Sequence, residues 1–278
     1  MRAFGASLAI GALVACGDSK KPASPEGGGE AVVAEAPPPE FAEVGAIIDV
    51  SPGRPRSRIC AASLIESDVI LTAAHCIVLG PNRPLAFART TDPTDLARAS
   101  LTPIVAAYAH PGFVAQLRDT AAPMHDIGIM VLVRDLQGVR VPALTLSAAQ
   151  LPVAGALWSI AGLAVPAGGG GGDGRGHSAT ATIADVSATE FTIRPVPEPR
   201  PCYGDSGAPA YPIVGGHALG AIVSRASRDS DFSCASGAVF TRVDAHAAWI
   251  RSVLQRVHAR PLASTIAGWM LGAWGGDP

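Results

Sequence analysis

Charge is scarce in this chain. Asp, Glu, Lys and Arg make up 16% of its 278 residues, well below the usual quarter, which excludes coiled coils and charge-rich disordered chains. Neither sign is in excess: 21 basic residues face 23 acidic ones, a formal net charge of −2. With no basic field to hold a phosphate backbone, nucleic-acid binding is excluded as a function class. Aromatic residues are few, at 5%. No apolar run reaches the roughly 20 residues that span a bilayer as a helix. The strand-then-amphipathic-helix rhythm of a parallel α/β fold is missing too. There are five cysteines, Cys16, Cys60, Cys76, Cys202 and Cys234, and none forms a Cys-x-x-Cys pair. That absence argues against a zinc site.

Glycine and proline are abundant, together 55 of the 278 residues. They favour turns and short strands over long helices. From about Val44 to Val243 the apolar residues come in short, often β-branched runs: Val69–Leu71, Ile104–Ala106, Ile127–Val133, Thr180–Val186, Ala218–Val223 and Ala238–Val243. These are strand lengths, and the coarse class is all-β, as barrels or sandwiches. One helix is expected over 244–258. Asp244 is placed to cap it, Ile250, Val253, Leu254 and Val257 share a face with Trp249 beside them, and Pro261 stops it. The run Gly168–Gly172 lacks the Gly-Lys-Ser/Thr ending of a phosphate loop and reads as a surface loop.

The amino terminus reads as a targeting segment. Arg2 precedes a mostly apolar run, Ala3 to Val14, too short for a membrane span. It ends in Leu13-Val14-Ala15-Cys16, which resembles a bacterial lipoprotein cleavage box with Cys16 as the lipidated residue. An ordinary signal peptide with an incidental cysteine is the alternative. Residues 17–43 are rich in Lys, Ser, Pro, Glu and Gly and expected to be a tether and propeptide. If Cys16 carries lipid, four cysteines remain for two disulfides, which an oxidising compartment would permit. The tail 261–278 holds Trp269, Met270, Leu271 and Trp274. It either packs on the domain or meets a partner or membrane.

Three segments carry chemistry: Leu71-Thr72-Ala73-Ala74-His75-Cys76, His125-Asp126-Ile127-Gly128-Ile129, and Cys202-Tyr203-Gly204-Asp205-Ser206-Gly207-Ala208-Pro209. Singly, each has a bland reading as core, turn or ligand. Jointly, in this order, with cysteines beside the first and third, they resemble the trypsin/chymotrypsin family of serine endopeptidases over about Val44 to His258. Ala221-Ile222-Val223-Ser224 and Phe240-Thr241-Arg242-Val243 add to the likeness.

The resemblance implies two packed antiparallel six-stranded barrels, about 44–145 and 146–243, within a domain over 44–260 that ends in a helix. It implies hydrolysis of polypeptides by Ser206 as nucleophile, His75 as base and Asp126 as the group orienting it. A serine hydroxyl is a poor nucleophile until a base takes its proton, and imidazole titrates near neutral pH. The N–H groups of Gly204 and Ser206 are implied as the oxyanion hole, each such donor typically worth about 3 kcal/mol of barrier. Ser224 is implied to bond substrate beside Asp126. The pairings implied are Cys60–Cys76 and Cys202–Cys234. No cofactor or metal is expected, and the implied protein is an exported monomer.

Two rivals differ in chemistry. An α/β-hydrolase carries Gly-x-Ser-x-Gly and the order Ser, acid, His; here Ala208 ends the pattern and the order is His, Asp, Ser. A protease fold kept as a binding module usually loses a triad residue, and all three are present.

Several positions depart from the family. No Ile-Val-Gly-Gly is present; its nearest counterpart is Ala31-Val32-Val33-Ala34. In the family a freed α-amino group there pairs with the aspartate before the nucleophile, here Asp205. Arg225 stands where an aromatic is usual and Ala226 where a glycine is usual. Counting six back from Ser206 places Arg200 at the base of the primary pocket. Arg200, with positive charge added by Arg225, favours Asp or Glu before the scissile bond, or else Arg200 turns to solvent and leaves a small neutral pocket. Either way cleavage after Lys or Arg is not expected.

Overall fold

In the computed structural model the short apolar runs become twelve strands. The structure describes residues 41–78, 83–89, 99–113, 124–144, 147–163, 177–195, 200–201, 204–227 and 236–259. The Cys16 segment, residues 17–40 of the expected tether, the glycine run, Cys202, Cys234 and the tail after Pro261 lie outside them; contrary to expectation, residues 41–43 belong to the fold, with Phe41 and Glu43 buried.

The first six strands are β1 (Val44–Asp49), β2 (Ser57–Leu64), β3 (Val69–Thr72), β4 (Leu85–Ala88), β5 (Leu101–Ala109) and β6 (Gly128–Leu132), with the one-turn helix α1 (His75–Val78) between β3 and β4. They close into a barrel in the order β1-β2-β3-β6-β5-β4. The second six are β7 (Leu157–Gly162), β8 (His177–Val186), β9 (Glu190–Ile193), β10 (Pro209–Pro212), β11 (Ala221–Ala226) and β12 (Ala238–Arg242). They close in the order β10-β11-β12-β9-β8-β7, which is the first barrel's order repeated six strands later. Every pairing is antiparallel. Closure leaves no edge strand, so every ladder is satisfied within its own barrel.

The interiors differ in chemistry. Barrel one is filled by aliphatic residues such as Ile47, Leu64, Ile70, Leu71, Ile104 and Ile129 around Phe87. Barrel two is built on aromatics: Phe191 stacks on Phe240 with ring centres 5.0 Å apart, and Trp158 meets its edge at 5.0 Å. Both cores run across the junction. Tyr211, Leu219, Ile222 and Val243 pack with the first, and Ala46, Ile48, Ala61 and Ala88 with the second. At the entrance to β1, buried Glu43 accepts a hydrogen bond from Tyr211 Oη and lies 3.0 Å from His217 Nε2. Burial of the Tyr211 ring beside that carboxylate pushes its hydroxyl well above the ordinary phenol range.

The chain ends its described part in α2 (Ala247–His258), which buries Ile250 and Val253 against the first core. Asp244 does not cap it, contrary to expectation. Its carboxylate is taken by Arg242, at 2.6 and 3.1 Å, and Asp244–His246 form a 3-10 turn that leads into the helix. The run Ala218–Val223 likewise splits: Ala218 makes an isolated parallel bridge with Ala143, and the strand proper starts at Ala221. Among the described residues no helix is long and apolar enough to cross a membrane.

Candidate active site

The register of barrel one brings His75 and Asp126 together. β3 and β6 pair with Thr72 opposite Gly128. His75 follows Thr72 by three residues and Asp126 precedes Gly128 by two, so they leave adjacent strand ends on the same side. Buried Ala73 and Ala74 carry the chain over the core, and His75 opens α1. His75 Nδ1 lies 2.8 Å from Asp126 Oδ2, and its backbone N–H donates to Asp126 Oδ1 at 2.9 Å. The aspartate is 1% exposed, whereas the His75 side chain keeps 21% of its surface.

Barrel two supplies the other half in the same way. β10 and β11 pair with Pro209 opposite Ile222. Ser206 precedes the first by three residues and Ser224 follows the second by two. Ser224 Oγ donates to Asp126 Oδ2 at 2.7 Å. Burial alone would raise the Asp126 pKa. The bonds from the His75 ring, its charge, Ser224 Oγ and the His75 N–H outweigh burial and hold the carboxyl below the ordinary range. With its pKa depressed in the folded state, the aspartate contributes stability above about pH 4, lost as pH falls through the lowered value.

Ser206 is seated between the barrels. Its carbonyl accepts the Ala61 N–H at 2.8 Å, and the next N–H, of Gly207, donates to Val223 O at 2.8 Å. Thr72 Oγ1 donates to Ala61 O at 2.8 Å, so β3 braces the strand that receives the nucleophile loop. Gly207 has φ +84°, and a Cβ there would meet Thr72 Oγ1 at 2.2 Å and Ala61 O at 2.3 Å. Only glycine fits. The Cys60–Cys76 disulfide joins β2 to α1 beside this contact. Cys60, His75 and Cys76 are close enough to share a metal ion, but the bridge leaves no thiolate to bind one.

Gly204, two residues before Ser206, has φ +95° and carries the Arg58 guanidinium against it, 2.9 Å from where a Cβ would stand. Asp205 is fully buried and accepts the Leu163 N–H at 2.6 Å. Burial pushes the Arg58 pKa down, and the charge of Asp205 works the other way. Asp205 therefore has a cationic neighbour on β2, besides the amino-terminal partner that the resemblance implies. Arg58, two residues before Cys60, was visible as a sequence neighbour of the bridge only.

The expected pocket residues differ in exposure and partners. Arg200 is half-buried, Ser224 buried and Ala226 half-buried. Arg225 does not add free positive charge. Its guanidinium holds Glu190 in a fork, Nη1 to Oε1 at 2.8 Å and Nη2 to Oε2 at 3.0 Å, and Nη1 also donates to Ser224 Oγ at 3.2 Å. Glu190 was missed because its role depends on the β9–β12 and β11–β12 pairings, which set it beside Arg225 from 35 positions away.

A family model described as Trypsin matches residues 44–250. The chain belongs to the trypsin family. Two solved structures share this trypsin fold. GrC is 20% identical with a TM-score of 0.61, covering 80% of this chain and 98% of its own. Neuropsin, a serine protease expressed in the limbic system of mouse brain, is 17% identical with a TM-score of 0.62 and the same coverages. No curated protein matches the chain.

Proposed function

We propose that this trypsin-family protein is an active serine endopeptidase. Ser206 attacks the scissile carbonyl while His75 takes its proton. The tetrahedral oxyanion is held by the N–H groups of Gly204 and Ser206, and His75 returns the proton to the leaving amine. Water then attacks the acyl-enzyme with His75 as base again, releasing the acid and Ser206. Asp126 accepts the Nδ1–H bond, keeps Nε2 as the working base and stabilises the imidazolium. The observation that carries the proposal is the Asp126 carboxylate, buried and bonded to His75 by ring and backbone and to Ser224 at 2.7 Å. That arrangement serves a base that becomes charged. A binding module would have no use for it.

Exposure of the purified protein to a fluorophosphonate probe tests this. One label on Ser206, lost in Ser206→Ala and in His75→Ala, is expected. Peptidase activity within tenfold of the parent in either variant would overturn it.

We infer further that the enzyme is exported as a monomer on a lipid anchor at Cys16, with residues 17–40 as tether, because Phe41 and Glu43 are already buried in the fold. Cys16→Ser should move it from the membrane to the soluble fraction. Cleavage near Ala31 or Val32 would free an α-amino group for Asp205 and release the domain at once. Intact mass of the active species decides between that and a form whose Asp205 relies on Arg58. No acidic residue stands at position 200, so cleavage after Lys or Arg is not expected.

A further inference from the structure

Next to Asp126 in sequence and in the fold lie three histidines that catalysis does not use. His110 follows β5, His125 directly precedes Asp126, and His246 ends the 3-10 turn before α2. One ring nitrogen of each lies within 4.8 Å of the other two. His125 Nδ1 is 3.0 Å from His246 Nε2. The His110 ring stacks on His125 at 4.9 Å, and its edge meets His246 at 5.2 Å and Trp249 at 5.1 Å.

The tautomer of His246 suits ligation as it stands. His246 Nδ1 lies 2.6 Å from Arg242 O, a carbonyl that can only accept, so Nδ1 carries the proton and Nε2 a lone pair. This is the outer-shell bond that orients metal-binding imidazoles. Gly112 N–H donates to His110 Nδ1 at 3.1 Å, so Nδ1 is unprotonated, and an ion takes that lone pair only by displacing the Gly112 N–H. Facing the His246 lone pair, His125 Nδ1 must hold a proton in the metal-free protein. When an ion enters, that proton moves to Nε2 of the same half-exposed ring, and no net charge leaves.

His125 is also the one described residue other than glycine with positive φ, at +48°. Such a conformation is costly and persists where the surroundings demand it. Here it turns the His125 ring toward the cluster while Asp126 faces His75.

We propose that His110, His125 and His246 form a site for one zinc-class transition-metal ion, with solvent as the fourth ligand. Three imidazoles without a carboxylate suit Zn2+, Co2+, Ni2+ or Cu2+, and not the oxygen-seeking Mg2+ or Ca2+. At Zn–N bonds of 2.0–2.1 Å, tetrahedral ligands stand about 3.3 Å apart. The His125–His246 pair is within a few tenths of an ångström of that, and His110 has to close in. His110 N–H donates to Ile127 O at 3.0 Å, so a bound ion would tie both flanks of Asp126 together. The site needs no peptidase activity and stands apart from the catalytic proposal.

The test uses the full chain with Cys16→Ser and His75→Ala, which removes the Cys16 thiol and the catalytic imidazole as competing ligands. After chelator treatment, calorimetric titration with Zn2+ should show one equivalent bound. Cobalt should give visible d–d bands without a thiolate charge-transfer band. His110→Gln and, separately, His246→Asn should weaken Zn2+ by at least about 100-fold. Because His246 is buried, X-ray absorption at the zinc edge of the unsubstituted site provides a measurement independent of the variants' folding. It should show three imidazoles at about 2.0–2.1 Å. Absence of saturable binding, equal affinity in a folded His110→Gln, or fewer than three imidazoles overturns the proposal.

Discussion

The two barrels repeat one strand order, yet they build their halves of the active site from different places in it. Barrel one uses the ends of β3 and β6 for His75 and Asp126. The strands at the corresponding places in barrel two are β9 and β12. Barrel two instead uses β10 and β11 for Ser206 and Ser224. The bracing differs as well. Barrel one holds its half by a sheet ladder and a covalent bridge, Cys60–Cys76. Barrel two holds its half by a close backbone contact at Gly207 and by the Glu190–Arg225 ion pair, with the charge of Arg58 acting on Asp205. A common topology therefore supplies the platform, and the site depends on which strand ends face the junction.

The largest effect should come from the one residue that both halves touch. Asp126 is bonded by His75 from barrel one and Ser224 from barrel two. Asp126→Asn keeps the size but favours the wrong His75 tautomer, and kcat should fall about 10^4-fold. Circular dichroism should stay that of the parent. A loss under tenfold would mean that the two halves do not meet functionally at this carboxylate.

Next is the contact that docks one barrel's loop on the other. Gly207→Ala drives a Cβ to 2.2 Å from Thr72 Oγ1 and 2.3 Å from Ala61 O, at φ +84°. Backbone cannot yield as a flexible side chain can, so a loss of about 3 kcal/mol or more in denaturant unfolding is expected, of the size seen for strain and overpacking combined. Unchanged stability would show that the nucleophile loop is not pinned by barrel one.

The bridge in barrel one closes a loop of 16 residues. Replacing Cys60 and Cys76 together by serine should cost about 3 kcal/mol on a chain-entropy estimate. Removing the Glu190–Arg225 pair in barrel two should cost less, because both side chains keep some exposure, 12% and 25% respectively. Equal losses would erase the contrast in bracing.

What the sequence made legible follows the same division. The strands are local patterns that length and β-branching announce, and the segments around His75, Asp126 and Ser206 are local motifs recognised by their joint resemblance to the trypsin/chymotrypsin family. Cys60 and Cys76 are close in sequence and their bridge is observed. The misses are non-local. Glu190 meets Arg225 only because β9 and β11 both pair with β12. Arg58 reaches Gly204 only because β2 docks beside the nucleophile loop. Asp244 has the composition of a helix cap, but Arg242 two residues earlier outcompetes the helix N–H groups for its carboxylate. A guanidinium fork is a stronger partner than exposed backbone.

The smallest effect is the most discriminating. Glu190→Gln removes the charge that Arg225 holds by two bonds of 2.8 and 3.0 Å. Arg225 keeps its place through the Ser224 contact at 3.2 Å but loses its counter-ion. If Arg225 borders the primary pocket, as the resemblance implies, its positive charge becomes available to substrate. Relative kcat/KM for peptides with Glu before the scissile bond, against Ala, should then rise about three- to tenfold, an increment of about 1 kcal/mol that suits a partly exposed pair. It should shrink with added salt. Arg225→Met should act in the other way: it loosens Ser224, lowers kcat a few-fold, and leaves the Glu-to-Ala ratio of the parent unchanged, because Glu190 already neutralises that charge. A parent enzyme whose Glu preference collapses in Arg225→Met would show that the arginine serves substrate despite its partner. In that case barrel two's ion pair would belong to specificity as well as to bracing.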